Sequence, residues 1–178
     1  QDPRFMGWGN LRVINEDRVA PGTGFGTHGH RDMEIISYVL SGELAHRDSM
    51  GHEQRIPAGD VQRMSAGTGV MHSEYNHAAD TAHFVQIWIH PHSQGLKPSY
   101  AQRQVSRADK QGRLTRLVDG QARDQALSMN ADACVWVGCF EGEQSFCLEG
   151  LTQRKAWVQL LKGQLEVNGF LLQAGDAL

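Results

Sequence analysis

Apolar residues in this chain fall into short runs separated by turns that carry glycine. The runs are Leu11 to Ile14, Met33 to Leu40, Gly42 to Asp48, Val61 to Met64, His72 to Asn76 and Ala82 to Ile89. "IISYVLSGEL" is rich in β-branched residues and stops at Ser41-Gly42. "HFVQIWI" alternates in part and stops at Pro91. Runs this short, bounded this way, predict strands, and their close spacing predicts an all-β sandwich or barrel. No long helical periodicity stands out, so helix is expected only as short pieces near Asp109 or Asp124.

The texture changes at Pro98. "PSYAQRQVSRADKQGR" is polar and reads as a linker or arm, after which "LTRLVDG" and "LSMNADACVWVGCF" resume a strand-like pattern. The expected organisation is a first domain over 1–97, a linker over 98–113 and a second domain over 114–178. An internal echo supports two related barrels. "YVLSGELAHRDSMGHEQRIPAGDV" and "VQLLKGQLEVNGFLLQAGDAL" each run from an apolar stretch through a glycine turn and a return strand to Ala-Gly-Asp. Gly42 answers Gly163, and Gly59 answers Gly175. The chain starts without Met and ends just after a turn that launches a new apolar run, so it is expected to be truncated at both ends.

Composition narrows the function classes. Of 178 residues 40% are hydrophobic, enough for a core at this length. A formal net charge of −3 without a basic block argues against direct nucleic-acid binding. No run of about 18 apolar residues predicts a membrane span, and the N-terminus lacks a signal-peptide pattern. Cys134, Cys139 and Cys147 form no CxxC pair. They read as buried or semi-buried thiols of a reducing compartment, which makes the cytoplasm the expected location.

The nine histidines carry the candidate chemistry. His28 and His30 are two residues apart. On a strand they face one side, about 6.6 Å apart, and two imidazoles can lean in to one ion. "GTGVMHSEYN" places His72 and Glu74 at the same spacing, again behind a glycine-rich turn. Two such strands offer three imidazoles and a carboxylate. That donor set suits Fe(II), Ni, Cu or Zn better than Mg or Ca, and four protein ligands leave one or two octahedral positions open. By parity Glu34 is a rival carboxylate.

These residues carry a family resemblance. Gly22 to Glu34, "G-x5-H-x-H-x3-E", resembles the first cupin motif. Pro57 to Gly59 followed by His72 to Asn76 resembles a stretched second motif. "DPRFMGWGNLRVIN", "GFGTHGHRDMEI", "SYVLSGELAHRDSMG" and "MSAGTGVMHSEYNH" together resemble the pirin family, in particular its bacterial quercetinase-like members. The resemblance implies a bicupin, two tandem jelly-roll β-barrels, with one metal in the N-terminal barrel and a first strand or two preceding Gln1. It places the metal ligands on His28, His30, His72 and Glu74, and passes over Glu34, which is left a supporting or surface charge. It implies one divalent transition metal, Fe(II) first, with Ni, Cu, Zn or Mn as alternatives. Counting back from Gly163 puts Glu149, Leu151 and Lys155 where His28, His30 and Glu34 stand, so no second metal is expected.

The activity implied is that of a quercetin 2,3-dioxygenase. A flavonol such as quercetin is opened at its central ring by O2, with release of carbon monoxide. Glu74 doubles as ligand and proton acceptor. The alternative implied is a non-enzymatic, metal-dependent redox sensor and transcriptional co-regulator acting through a protein partner. The other histidines read as bystanders. His46 and His52 flank a hairpin turn and are expected exposed. His77 lies on the opposite parity to His72. His83 begins an apolar strand, with pocket lining as its alternative. Pro91 breaks the strand that His90 and His92 need. Met71, Phe84, Ile87 and Trp88 read as core.

Overall fold

In the computed structural model, which describes residues 3–148 and 152–178, the six predicted runs become antiparallel strands, and Gly24–His30, Glu53–Pro57 and Ser99–Gln104, outside those runs, form strands as well. They are β1 (Leu11–Val19), β2 (Gly24–His30), β3 (Glu34–Ser41), β4 (Glu43–Asp48), β5 (Glu53–Pro57), β6 (Asp60–Ser65), β7 (Val70–Tyr75), β8 (Ala82–Ile89) and β9 (Ser99–Gln104). They make two sheets, ordered β1-β8-β3-β6-β9 and β2-β7-β4-β5. The sheets pack face to face through Val19, Val39, Leu44, Ile56, Ala82 and Phe84, drawn from both. Gly42 makes the β3–β4 turn at φ +71, and a Cβ there would sit 2.7 Å from the Thr81 carbonyl oxygen. Only glycine fits both the left-handed backbone and that approach.

Residues 98–113, expected as a linker or arm, contain β9. It forms the edge of the first sheet, paired to β6 from Asp60↔Gln104 to Ser65↔Ser99. An edge strand needs burial on one face only, so its sequence stays polar and hides it. The helix α1 (Arg107–Lys110) follows, capped by a reciprocal Ser106–Asp109 box. A short turn of helix at Arg123–Gln125 occupies the other expected place.

A third sheet, β10 (Leu114–Asp119), β11 (Leu127–Ser128) and β12 (Cys134–Gly138), runs in the order β11-β10-β12. This sheet and the loop after β11 supply Leu117, Val118, Met129 and Ala131, which cover Ile36, Tyr38, Val61 and Ile89 on the outer face of the first sheet. β3 is therefore covered on both faces. That explains why "EIISYVLS" shows no alternation, with its first six residues all buried. Each of these large apolar side chains contributes about 1.5–3 kcal/mol by leaving water.

Residues 1–144 form one compact unit and 145–178 a second. The second holds a hairpin, β13 (Gln164–Val167) and β14 (Phe170–Gln173), turned at Asn168 and Gly169 with positive φ at both. That is the turn an Asn-Gly pair favours. The internal echo is visible in the backbone. Gly42 and Gly163 take φ of 71° and 80°, and Gly59 and Gly175 take 93° and 97°. Among the described residues no helix is long and apolar enough to cross a membrane. Cys134 and Cys139 are partly buried free thiols, whereas Cys147, expected semi-buried, is exposed.

Candidate metal centre

β2 and β7 are neighbours, and His28 stands directly opposite His72. Two devices set this up. Gly24 lets the strands close: a Cβ there would fall 2.3 Å from the Glu74 carbonyl oxygen and 2.6 Å from Tyr75 Cα. A one-residue bulge between Phe25 and His28 then resets the alternation. It keeps Phe25, whose ring meets Phe84 edge-on at 6.3 Å, and His28 on the same inner face.

The ring nitrogens converge. His30 Nε2 lies 3.0 Å from His72 Nε2, which lies 3.1 Å from His28 Nε2. An ion roughly 2.1 Å from each nitrogen in octahedral geometry spaces adjacent donors by about 3.0 Å, whereas a tetrahedron spreads them to about 3.4 Å. Both spacings measured from His72 match those of adjacent octahedral corners. The tautomer of His28 is fixed: its Nδ1–H donates to the Gly26 carbonyl at 2.8 Å, leaving the Nε2 lone pair toward its partners. His72 Nδ1 is buried without a hydrogen-bond partner. Burial, followed by the other imidazoles, lowers the pKa of His72 to about 3 and that of His30 to about 4. Both are therefore neutral donors near pH 7. Lone pairs crowded at hydrogen-bond distance around one point fit a cation.

Glu74 stands beside this set and turns toward the first sheet. Its Oε1 accepts from the Gln62 amide at 2.6 Å and its Oε2 from the Gln86 amide at 3.0 Å. It is 1% exposed, and burial raises its carboxyl pKa against the pull of the two amides. Among the described residues the candidate donors form two sets, each with donor atoms within 4.8 Å of one another: His28, His30 and His72, and His46, His72 and Glu74. Glu74 thus reaches the centre through His72.

Several bystanders prove to be neighbours. His46, expected exposed on a hairpin, is 1% exposed. Its Nε2–H donates to Asp48 Oδ2 at 3.1 Å, and its ring lies 5.4 Å from that of His72. It sits inside β4 rather than in the β4–β5 turn, on the same face as His72. His52 is partly exposed and donates from Nδ1 to Asp48. Tyr100 of β9 stacks on both rings, at 4.7 and 4.9 Å. Trp88 meets His30 edge-on at 4.9 Å and donates to Gln86. It is only partly buried, and Met71, also expected in the core, is 48% exposed. The alternation of β8 and of β4 could have flagged Trp88 and His46. Each sits an even number of positions from an inner residue of its own strand.

Others lie away from the centre. Glu34 faces the outer side of β3, where it accepts from Ser65 Oγ at 2.8 Å and Asn130 Nδ2 at 3.1 Å. Parity does not carry from His30 to Glu34, because residues 31–33 break the strand. His83 is buried and pairs with Glu16 at 2.7 Å. His77 is exposed against Tyr75, and His90 and His92 are exposed. Glu149 and Leu151, the positions counted as equivalent to His28 and His30, lie outside the described residues; Lys155 is exposed.

A double-sheet barrel with an inward cluster of strand histidines, followed by a second glycine-turned β unit, defines the bicupin class of metal-binding proteins. The comparisons agree. The Pirin family model matches residues 1–89, and the model described as the quercetinase C-terminal cupin domain matches 117–178. A quercetin 2,3-dioxygenase of Escherichia coli is 41% identical over 99% of this chain and 76% of its own length. A putative quercetin 2,3-dioxygenase of Zymomonas mobilis is 44% identical over 99% and 75%. The crystal structure of the Escherichia coli bacterial pirin YhhW in complex with nickel(II) superposes with a TM-score of 0.86 at 40% identity, covering 99% of this chain and 76% of that one. The chain belongs to the pirin family.

Proposed function

We propose that this chain is a metal-dependent dioxygenase of the quercetinase type, with His28, His30, His72 and Glu74 as its metal ligands. The observation that carries the reading is the meeting of three imidazole Nε2 atoms at 3.0 and 3.1 Å across β2 and β7. Relatives named for quercetin 2,3-dioxygenase activity and a nickel-bound pirin support it. Fe(II) is the first candidate, with nickel, copper, zinc and manganese as alternatives that the donor set also admits.

The substrate proposed is a flavonol, opened at its central ring with O2 and release of carbon monoxide. A divalent ion, when bound, supplies Lewis-acid chemistry that makes a flavonol hydroxyl easier to deprotonate. The chain's residues do the rest. His28 and His30 are partly exposed while His72 and Glu74 are buried, so the centre opens on its His28–His30 side and is closed behind. Substrate enters from that open side. Glu74 is the proton acceptor. Its burial favours the protonated form, and the amides of Gln62 and Gln86 hold both oxygens in place to receive the hydroxyl proton. Trp88, edge-on to His30, gives the space aromatic surface on that side.

The test is loss of flavonol absorbance with oxygen uptake and carbon monoxide release, for protein loaded in turn with Fe(II), Ni(II) and Cu(II). Turnover that disappears in His28→Ala, together with bound metal, supports the reading. His28→Ala protein with full metal content and parental turnover overturns it. No turnover with any metal, beside a redox-dependent change in binding to a protein partner, favours the sensor.

A further inference from the structure

His46 is built like a metal ligand that has no assigned metal. Its side chain is fully buried, as is that of Asp48. The Nε2–H is taken by Asp48, which leaves the ring's lone pair on Nδ1, and Nδ1 is buried with no hydrogen-bond partner. A buried acceptor left unpaired is costly. A carboxylate on the far nitrogen is the arrangement that aims and strengthens a ligating histidine. Asp48 is itself fixed, accepting from the backbone N–H groups of Met50 at 2.9 Å and His52 at 3.1 Å. Tyr100 stacks on the His46 ring and holds its plane.

Two more donors share this space. His72 also has a buried Nδ1 without a partner. Glu74 brings a carboxylate with spare lone pairs, and the donor atoms of His46, His72 and Glu74 all lie within 4.8 Å. We propose that these three residues form a second, enclosed position for a divalent transition-metal ion, alternative to the three-histidine position and sharing His72 and Glu74 with it. The inference rests on the reading of the three histidines as a metal centre. Two imidazoles and one carboxylate suit zinc, cobalt or nickel, and leave room for a further ligand. The two positions differ in access. All three residues of the inner set are 1% exposed, whereas His28 and His30 of the outer set are partly exposed. Shared ligands and the repulsion between two dications at this range restrict the barrel to one ion at a time. The inner position is then a closed state of the centre, and the outer position an open one.

The experiment uses Co(II) and Zn(II) as probes, with metal content measured after equilibrium dialysis and folding checked by circular dichroism. The double variant His28→Ala/His30→Ala is expected to keep one equivalent of metal, and adding His46→Gln is expected to abolish it. A folded double variant without metal, beside a parent that holds one equivalent, overturns the inner position and leaves the three-histidine centre standing. A parent that binds no metal overturns both. The variant His28→Ala/His46→Cys, in which the outer position has lost a ligand and no longer competes for the ion, is loaded with Co(II) and covers a double alanine variant that fails to fold. A thiolate-to-cobalt charge-transfer band absent from the parent supports ligation at position 46, and a variant spectrum without that band overturns it.

Discussion

Metal-free protein should lose stability on acidification through His72, and replacing that residue should relieve the loss. The His72 ring is held neutral by burial and by three neighbouring imidazoles, with a pKa of about 3 against an ordinary 6.5. In the unfolded chain it protonates first. Its contribution is therefore complete above the ordinary value and is withdrawn as pH falls toward about 3. Between about pH 6 and about pH 4 one site with these two pKa values withdraws about 2 kcal/mol. His30 and His46 act in the same direction, since burial lowers both. Glu74 acts against them. Its carboxyl is raised, so the stability it contributes is present in acid and fades as pH rises through its folded pKa. Comparing His72→Gln with the parent cancels those shared contributions to first order. The assay is the urea midpoint of chelator-treated protein, followed by circular dichroism across that range. The variant should gain about 2 kcal/mol relative to the parent between the two ends. A difference that stays constant to within about 0.5 kcal/mol would refute the buried, neutral His72.

Three further substitutions separate the centre from its supports. Glu34→Gln should cost about 1–3 kcal/mol, because it disturbs the buried acceptor of Ser65 and Asn130. Metal content by elemental analysis should not change, and its loss would return Glu34 to the ligand set. Gly24→Ala must push β2 off β7, where its Cβ would meet backbone at 2.3 and 2.6 Å. A drop of about 1–3 kcal/mol in thermal stability, with weaker Ni(II) binding by calorimetry, is expected. Gln62→Leu removes a donor that lowers the Glu74 pKa. The acid limb of the flavonol-cleavage pH profile should move to higher pH, and an unmoved limb would argue against Glu74 as proton acceptor.

The strand runs and their glycine turns were legible because both are local: β-branched runs state their own conformation, and Gly42 and Gly163 announce turns at matching φ. β9 was not legible. Its pairing with β6 spans some forty positions of intervening chain, and nothing in "SYAQRQ" itself signals it. Among the site residues, His28, His30 and His72 could be read from spacing, since strand geometry turns an i, i+2 pair into a shared face. The bulge between Phe25 and His28 could not, although it decides which face that is.

Glu34 and His46 show where parity stops being informative. Parity carries only along unbroken strand. Counting from His30 to Glu34 crosses three residues outside any strand and ends on the wrong face. Counting from Leu44 to His46 stays within β4 and ends on the right one, because Leu44 is 0% exposed and belongs to the barrel core. A hairpin position therefore says less about burial than the phase of the nearest apolar residue on the same strand. Applied to the whole barrel, that phase gathers Asp48 with Leu44 and His46, and Gln62 with Met64. These are the polar residues that now surround Glu74 and His72. An apolar strand interrupted on its inward phase by His, Asp or Gln has exchanged core for chemistry, because a buried polar atom is costly until a partner satisfies it.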